Sequence, residues 1–128
     1  MWLNGEPYAP VHPLEARRAG VAMIYQELLP VLNMSVAENV LLGNEPHFPL
    51  LGWIQKRELH RRARNLLTRL GVSVDTERKM GSLRLSEMQV VEIAKALAHR
   101  VRLLIMDEPT SALSSNEAEA LFKIIREL

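Results

Sequence analysis

Residues 103–115 read LLIMDEPTSALSS, and this stretch decides the fold class. Its first four residues are apolar and lead without polar alternation into Asp107 and Glu108. Such a run is typical of a central parallel strand that is covered on both faces. Ligands of open α/β sheets bind beyond the carboxyl ends of the strands. The stretch therefore predicts an α/β fold with two carboxylates at a ligand site, and a solvated turn is the alternative.

The two carboxylates suit different chemistry. Neighbouring side chains of a strand point to opposite faces, so Asp107 and Glu108 need not do the same work. Asp107 suits Mg²⁺, held through water, because hard cations prefer oxygen ligands. Glu108 suits a base that polarises an attacking water, provided that it lies within hydrogen-bond reach.

The composition limits the class of protein. The chain has 128 residues, of which 48% are hydrophobic, and this suits one domain with a core. With 16 basic and 15 acidic residues, the net charge gives no reason to expect nucleic acid. The absence of cysteine excludes disulfides and fits a reducing cytoplasm. No apolar run reaches the roughly 20 residues of a membrane span, so we expect any membrane association to go through a partner.

Short strands and one helix are predicted before residue 28. MWLNGEPY, residues 1–8, indicates a strand with a turn at Asn4-Gly5. PLEARRAG indicates a short helix that begins near Pro13 and ends before Gly20. VAMIY, residues 21–25, indicates a buried strand.

Helices dominate the middle of the chain. Residues 35–38 (SVAE) form a capping box, which predicts a short helix that ends at Gly43. Residues 44–55 indicate a loop. Residues 56–70 carry apolar side chains at helical spacing, and Gly71 ends that helix. The apolar residues of this face are Leu59, Ala63, Leu66, Leu67 and Leu70.

Two further capping boxes predict helix starts at residues 86–89 (SEMQ) and 114–117 (SSNE). The first helix runs to about His99. The last helix has an apolar face that comprises Ala118, Leu121, Phe122, Ile125 and Leu128. Strands near both ends and helices between them indicate an α/β core interrupted by a helical subdomain.

Taken together, these motifs resemble the ATP-binding cassettes of ABC transporters. DEPTSAL resembles the Walker B segment and D-loop, and VAMIYQEL resembles the strand and Q-loop of that family. NMSVAENVLLG is similar to the opening of its helical subdomain, and LRLSEMQVVEIAKALA to its LSGGQ-type signature and following helix. The residues of these motifs are most similar to those of the first cassette in importers for monosaccharides of the ribose, xylose and galactose type.

The resemblance implies a partial P-loop NTPase core with a mostly helical subdomain inserted. Residues 1–27 would form the first part of the core and end in the Q-loop. Residues 28–99 would form the helical subdomain with the signature segment. Residues 100–128 would return to the core with Walker B and the D-loop.

The resemblance also implies site residues, with ATP and Mg²⁺ as cofactors. Asp107 would bind Mg²⁺ through water, Glu108 would be the catalytic base, and Gln26 would contact the Mg²⁺ or the water. The remaining nucleotide-binding residues would face a nucleotide held by the opposite cassette of a head-to-tail pair. They are Leu83, Arg84, Leu85, Ser86, Glu87, Gln89 and, in the D-loop, Ser114.

The chain departs from the family pattern in two places. No Gly-Lys pair occurs, so the phosphate-binding loop G-x-x-x-x-G-K-[ST] is not in these residues. We therefore expect the chain to be the middle of a cassette, inactive as an ATPase by itself. In the signature, Arg84 stands where the family has serine and Ser86 where it has glycine. The D-loop has Ser114 where many members have aspartate.

Other features favour structural roles. The four histidines (His12, His47, His60 and His99) lack zinc-like spacing, which favours surface positions. The basic helix at residues 56–70 could be a nucleic-acid face, but no aromatic residues interleave with its charges, which favours a solvated face. Trp53 is interpreted as a packing residue, with partner contact as the alternative.

Two functions are consistent with these observations. The first is the ATP-hydrolysing subunit of a sugar importer, peripheral on the cytoplasmic face of the membrane. Its partners would be a second cassette, a membrane permease and, indirectly, a sugar-binding protein, with no nucleic acid. The second is a non-catalytic truncated cassette that serves only as an interaction module.

Overall fold

The computed structural model describes residues 2–3, 5–24, 29–47, 54–99, 101–106 and 113–127. These residues form two small sheets and five α-helices. The first sheet is a hairpin of β1 (Trp2–Leu3) and β2 (Glu6–Pro7), which pair antiparallel. Gly5 has a φ of 82°, a conformation that favours glycine, and this confirms the predicted turn.

The second sheet is parallel, as the sequence predicts. It pairs β3 (Val21–Ile24) with β4 (Leu103–Met106), so that Val21 lies opposite Leu103 and Ile24 opposite Met106. The short helix α1 (Pro13–Arg18) precedes β3 and packs against it, and it begins at Pro13 as predicted.

The expectation that these strands are covered on both faces is wrong. Ile24 is buried, and Leu104 and Met106 pack against the core, but Met23 is 42% exposed and Ile105 is 44% exposed. The two exposed residues lie opposite each other in the register. Among the described residues the sheet has only two strands and one covered face, so an apolar run here does not indicate complete burial.

Three helices form the main core. They are α2 (Val36–Val40), α3 (Lys56–Arg69) and α4 (Leu85–Leu97), and each contacts the other two. α4 also packs against β3 and thus joins the helices to the sheet. The predicted apolar face of α3 is confirmed, because Leu59, Ala63 and Leu67 are almost completely buried.

The first and third capping boxes are confirmed. Ser35 Oγ accepts the Glu38 N–H at 3.2 Å, while the Glu38 carboxylate accepts the Ser35 N–H at 2.7 Å. Ser114 and Glu117 make the same reciprocal pair at 3.4 and 2.7 Å before α5 (Ser115–Glu127). These two boxes satisfy donors that a helix end otherwise leaves without partners.

The box predicted at Ser86 is wrong, because α4 begins at Leu85, two residues before the first helical residue that a cap at Ser86 implies. Arg84 is the capping residue, and its N–H donates to the Glu87 carboxylate at 2.8 Å. An arginine side chain has no acceptor, so only this half of a box forms. Glu87 accepts from Arg84 because it lies three positions later in the sequence, the spacing at which a carboxylate reaches back to the cap.

The predicted apolar face of α5 is only partly correct. Leu121 and Ile124 are buried, and Ile125 packs at the edge of the core. Phe122 is 45% exposed, so the buried stripe is rotated away from it. Among the described helices of the chain, none is long and apolar enough to cross a bilayer.

We expect Leu67→Ala to lower the free energy of unfolding by about 2–5 kcal/mol, because it opens a cavity in the core between the helices. Leu67 is 1% exposed, whereas Leu14 is 64% exposed. Leu14→Ala is the matched control and should change stability by no more than about 0.5 kcal/mol. Urea unfolding of both variants measures the difference. Equal effects would contradict the placement of the core.

The Glu38 capping bond predicts a pH dependence. Hydrogen bonds from the Ser35 backbone and side chain lower the pKa of Glu38 from its ordinary value of 4.5. Its contribution to stability is therefore complete above pH 4.5 and is lost as the pH falls through the lowered pKa. We expect Glu38→Gln to destabilise the chain by about 1 kcal/mol at neutral pH, since charge-assisted bonds exceed neutral ones by that order.

The difference between Glu38→Gln and the unmodified chain should vanish as the pH falls below the lowered pKa. Urea midpoints measured from pH 7 to pH 3 test this. Glu77→Gln, at an exposed carboxylate, is the control for charge removal. A destabilisation by Glu38→Gln that is the same at every pH would show that the carboxylate charge plays no part.

Candidate functional site

The predicted catalytic residues follow two strand ends that meet. Ile24 and Met106 are paired at the carboxyl ends of β3 and β4. Gln26 follows the first strand closely, and Asp107 and Glu108 follow the second directly. These three residues lie outside the described residues, so their roles remain predictions. The pairing of Ile24 with Met106 therefore brings together the two points at which the chain leaves β3 and β4.

A 3-10 turn precedes the signature segment, residues 83–89, and the end of that segment forms the first turn of α4. The turn covers Met80–Ser82, and Leu83 and Arg84 follow in extended conformation, with ψ of 156° and 158°. Leu83 is buried, whereas Leu85 in the first turn of α4 is 66% exposed. The first N–H groups of a helix have no partner within it, so this end of α4 offers donors and the positive end of the helix dipole.

Hydrogen bonds attach the 3-10 turn before the signature to residues 32–34, which follow Gln26 in the sequence. The N–H of Met80 donates to Met34 O at 2.9 Å, and the N–H of Gly81 donates to Leu32 O at 3.0 Å. Lys79 Nζ donates to Asn33 O at 2.7 Å. The turn before the signature is therefore joined to residues 32–34.

Asn39 holds the other side of this connection, and sequence reasoning did not single it out. Its side chain is fully buried in α2. Nδ2 donates to Val31 O and to Ser35 O, both at 3.0 Å, while Oδ1 accepts the Val31 N–H at 2.9 Å. A buried amide with three bonds is well satisfied. A polar residue on the apolar side of a helix was the only signal in the sequence.

Arg78 is a second residue that the sequence did not reveal. Its Nη2 donates to Ser82 O at 2.7 Å, and its Nη1 lies 3.7 Å from Glu87 Oε1. It thus braces the 3-10 turn against the first turn of α4. Nothing in the local sequence predicts this contact, because it depends on how the turn folds back before α4.

The predicted nucleotide-binding residues fall into groups with different exposure. Leu83 and Gln89 are buried, so their side chains face the protein interior. Arg84 and Leu85 are exposed, and Ser86 and Glu87 are half-buried. Ser114 is exposed, but its hydroxyl donates to Glu117 Oε2 at 2.7 Å in the helix cap. Their contacts with a nucleotide remain predictions.

In the part of the chain that the structure describes, no group of three acidic, cysteine or histidine side chains could hold a metal ion. His60 instead contacts Thr76 Oγ1 at 2.9 Å. On α3, Glu58 accepts hydrogen bonds from Arg61 and Arg62, and these bonds lower the pKa of Glu58 to about 2. Part of the basic charge of this helix is therefore paired within the helix itself.

Comparisons with known proteins agree with these features. A family model described as ABC transporter matches residues 1–111. A putative ribose/galactose/methyl galactoside import ATP-binding protein of Geobacillus kaustophilus is 47% identical over 98% of this chain and 25% of its own length. An arabinose import ATP-binding protein of Burkholderia ambifaria is 46% identical over 98% of this chain and 25% of its own length. The chain thus spans about a quarter of the length of these curated relatives.

Solved structures share the fold. A nucleotide-free ATP-binding cassette from an ABC transporter is 31% identical, with a TM-score of 0.63 over 90% of this chain and 49% of its own. A dimeric cassette in a post-hydrolysis state, bound to ADP and Pi, is 21% identical, with a TM-score of 0.76 over 99% of this chain and 56% of its own. The parallel strand pair and the helical region between its strands are thus those of a partial cassette core. The chain belongs to the ABC transporter family.

Proposed function

We propose that this chain is the part of a sugar importer's ATP-hydrolysing subunit that carries the Q-loop, the signature and Walker B. The observation that carries the proposal is the parallel pairing of β3 with β4, whose carboxyl ends directly precede the predicted catalytic residues. Support comes from the import ATP-binding proteins to which the chain is 46–47% identical. The substrate would be ATP, and the transported solute would be a monosaccharide.

Within this function each carboxylate has a separate task. Glu108 would accept a proton from the attacking water, and Asp107 would hold Mg²⁺ through water. Mg²⁺, when bound, neutralises charge on the phosphate oxygens. The donor chemistry fits, because two consecutive carboxylates follow β4 directly in the sequence, and α/β proteins bind ligands beyond the carboxyl ends of their strands.

The signature end of α4 faces a nucleotide on a second cassette. A helix N-terminus attracts phosphate through its unpaired N–H groups and its dipole. Arg84, at the cap of α4, places a bulky side chain where the family has serine. The head-to-tail partner is therefore required to complete the site, and a post-hydrolysis cassette of the same fold is itself a dimer.

The hydrogen bonds of residues 32–34 suggest how the site communicates. A displacement of the segment after Gln26 would be transmitted to Met80 and Gly81 through these bonds, and from there to the signature. The same segment exposes apolar side chains, since Leu29 is 75% exposed and Leu32 is 53% exposed. Such a surface suits a membrane permease, which would hold the subunit at the cytoplasmic face of the membrane. A sugar-binding protein would act only through that permease.

A second function, a non-catalytic interaction module, is favoured by one specific observation. In the signature, Arg84 stands where the family has a small serine, and its bulk opposes the closure of two cassettes around a nucleotide. Under this alternative the chain keeps the permease-facing surface and binds ATP weakly.

A chimera distinguishes the two functions. The matched segment of the Geobacillus kaustophilus relative is replaced by this chain, and ATP hydrolysis by the purified chimera is measured. We expect hydrolysis, and we expect Glu108→Gln to slow it by about 10²- to 10⁴-fold, the usual contribution of a general base. Glu119→Gln, at an exposed carboxylate of α5, is the control and should leave the rate unchanged.

Two outcomes would contradict the first function. If the chimera is folded and does not hydrolyse ATP while the unmodified relative does, the non-catalytic alternative is favoured. If Glu108→Gln hydrolyses as fast as the parent chimera, the assignment of the base is wrong.

Arg84→Ser in the same chimera should raise the rate. The substitution restores a small hydroxyl at the cap of α4, next to the proposed nucleotide phosphate. A hydrogen bond to a charged group contributes about 1.5–3 kcal/mol, which corresponds to roughly 10- to 100-fold if the bond forms in the transition state. Arg84→Ala, which removes the bulk and adds no donor, is the control. An equal gain with alanine would show that bulk alone limits the rate.

A further inference from the structure

One basic side chain joins three separate parts of the fold. Arg17, in α1, directs Nη2 to His99 Nε2 at 2.6 Å, beyond the end of α4. The same Nη2 donates to Leu42 O, in the turn after α2, at 3.5 Å. Asn44 Nδ2 donates to Ala98 O at 3.0 Å and ties that turn to the end of α4. Arg17 therefore connects the segment before β3 to the helical region at two points.

The Arg17–His99 contact requires a neutral imidazole. A guanidinium can only donate hydrogen bonds, so His99 Nε2 must accept and must carry no proton. If His99 is protonated, two like charges stand at hydrogen-bond distance and the bond has no acceptor. The contact can exist in only one of the two charge states of His99.

The surroundings of His99 reinforce this requirement. Arg17 and His99 line a cavity of about 490 Å³ whose walls are mostly apolar. The other charged residues that line it are Glu92 and Lys95 of α4, and these two pair with each other at 3.4 Å. The residues of β3 and β4 that line it are apolar. Of the described residues that line this cavity, Glu92 is the one carboxylate, and it is paired with Lys95. Outside the cavity, the Glu45 carboxylate accepts the N–H of Gly43, beside Arg17, at 3.0 Å.

We propose that the Arg17–His99 contact is a pH-sensitive link that holds α1 against the helical region when His99 is neutral and releases it when His99 is protonated. Burial lowers the pKa of His99 from its ordinary value of 6.5, and the charge of Arg17 lowers it further. Neutral His99 is thus the predominant form at neutral pH. The link does not depend on ATP hydrolysis or on any partner.

The direction of the pH effect follows from proton linkage. Because the pKa of His99 is lower in the folded state, the unfolded chain binds more protons below pH 6.5. The contribution of the link is complete above pH 6.5 and is lost as the pH falls through the lowered pKa. For one proton, the folding equilibrium constant changes by at most about tenfold per pH unit.

An NMR titration of the histidine rings in the 128-residue chain tests the contact directly. His99 is assigned by the signal that is lost in His99→Gln. We expect its midpoint to lie below 6.5 and to rise in Arg17→Gln, which removes the positive charge while leaving the cavity in place. A merely structural role of Arg17 would not move this midpoint. The same midpoint in both proteins would overturn the proposal.

Urea unfolding between pH 5 and pH 8 measures how the contribution of the link to the free energy of unfolding changes with pH. His99→Gln offers an amide oxygen that accepts from Arg17 without titrating, so we expect it to flatten the loss of stability below pH 6.5. His12→Gln removes an exposed histidine and should keep the full pH dependence. A slope in His99→Gln equal to that of the unmodified chain would overturn the proposal.

Discussion

The parallel pairing of β3 with β4 is the constraint on which the described structure depends. Parallel neighbours cannot be joined by a tight turn, because the chain must return to the same end of the sheet before the second strand begins. Residues 25–102 make that return. The helices α2, α3 and α4 lie within this long connection, and α4 packs against β3 on its way back. The helical region is thus both an insertion and the crossover that makes the sheet possible.

The interior of this crossover is organised by backbone groups as much as by apolar packing. Residues 31–36 make hydrogen bonds to Asn39 on one side and to residues 78–81 on the other. The N–H groups at the start of α2 are accepted by Thr76 O and Arg78 O at 2.9–3.0 Å. Such bonds are directional, so a shift of either segment displaces the other. A displacement of one segment therefore has a direct mechanical route to the other.

Much of the local structure was predictable. The helix of α3 and its buried face followed from periodicity, and two capping boxes were read correctly because their partners are only three residues apart. The start of α4 was misjudged because Ser86 fits a capping box by residue type, whereas the observed cap, Arg84, has no side-chain acceptor and depends only on the reach of Glu87 back to its N–H. The face of α5 was misjudged because Ile124 and Ile125 both fit an amphipathic stripe, and only packing decides which of them is central.

By itself, the sequence determined the types and order of the elements, because these depend on periodicity and short-range capping. It also determined the family, because the family is recognised by the residues of its motifs. The tertiary structure decided which apolar residues are covered, since Met23 and Ile105 look identical in sequence to buried strand residues. It also decided which distant polar groups meet, as Arg17 does with His99 and Arg78 with Glu87. These contacts join groups that are distant in the sequence. Local sequence patterns carry no information about which distant groups meet in space.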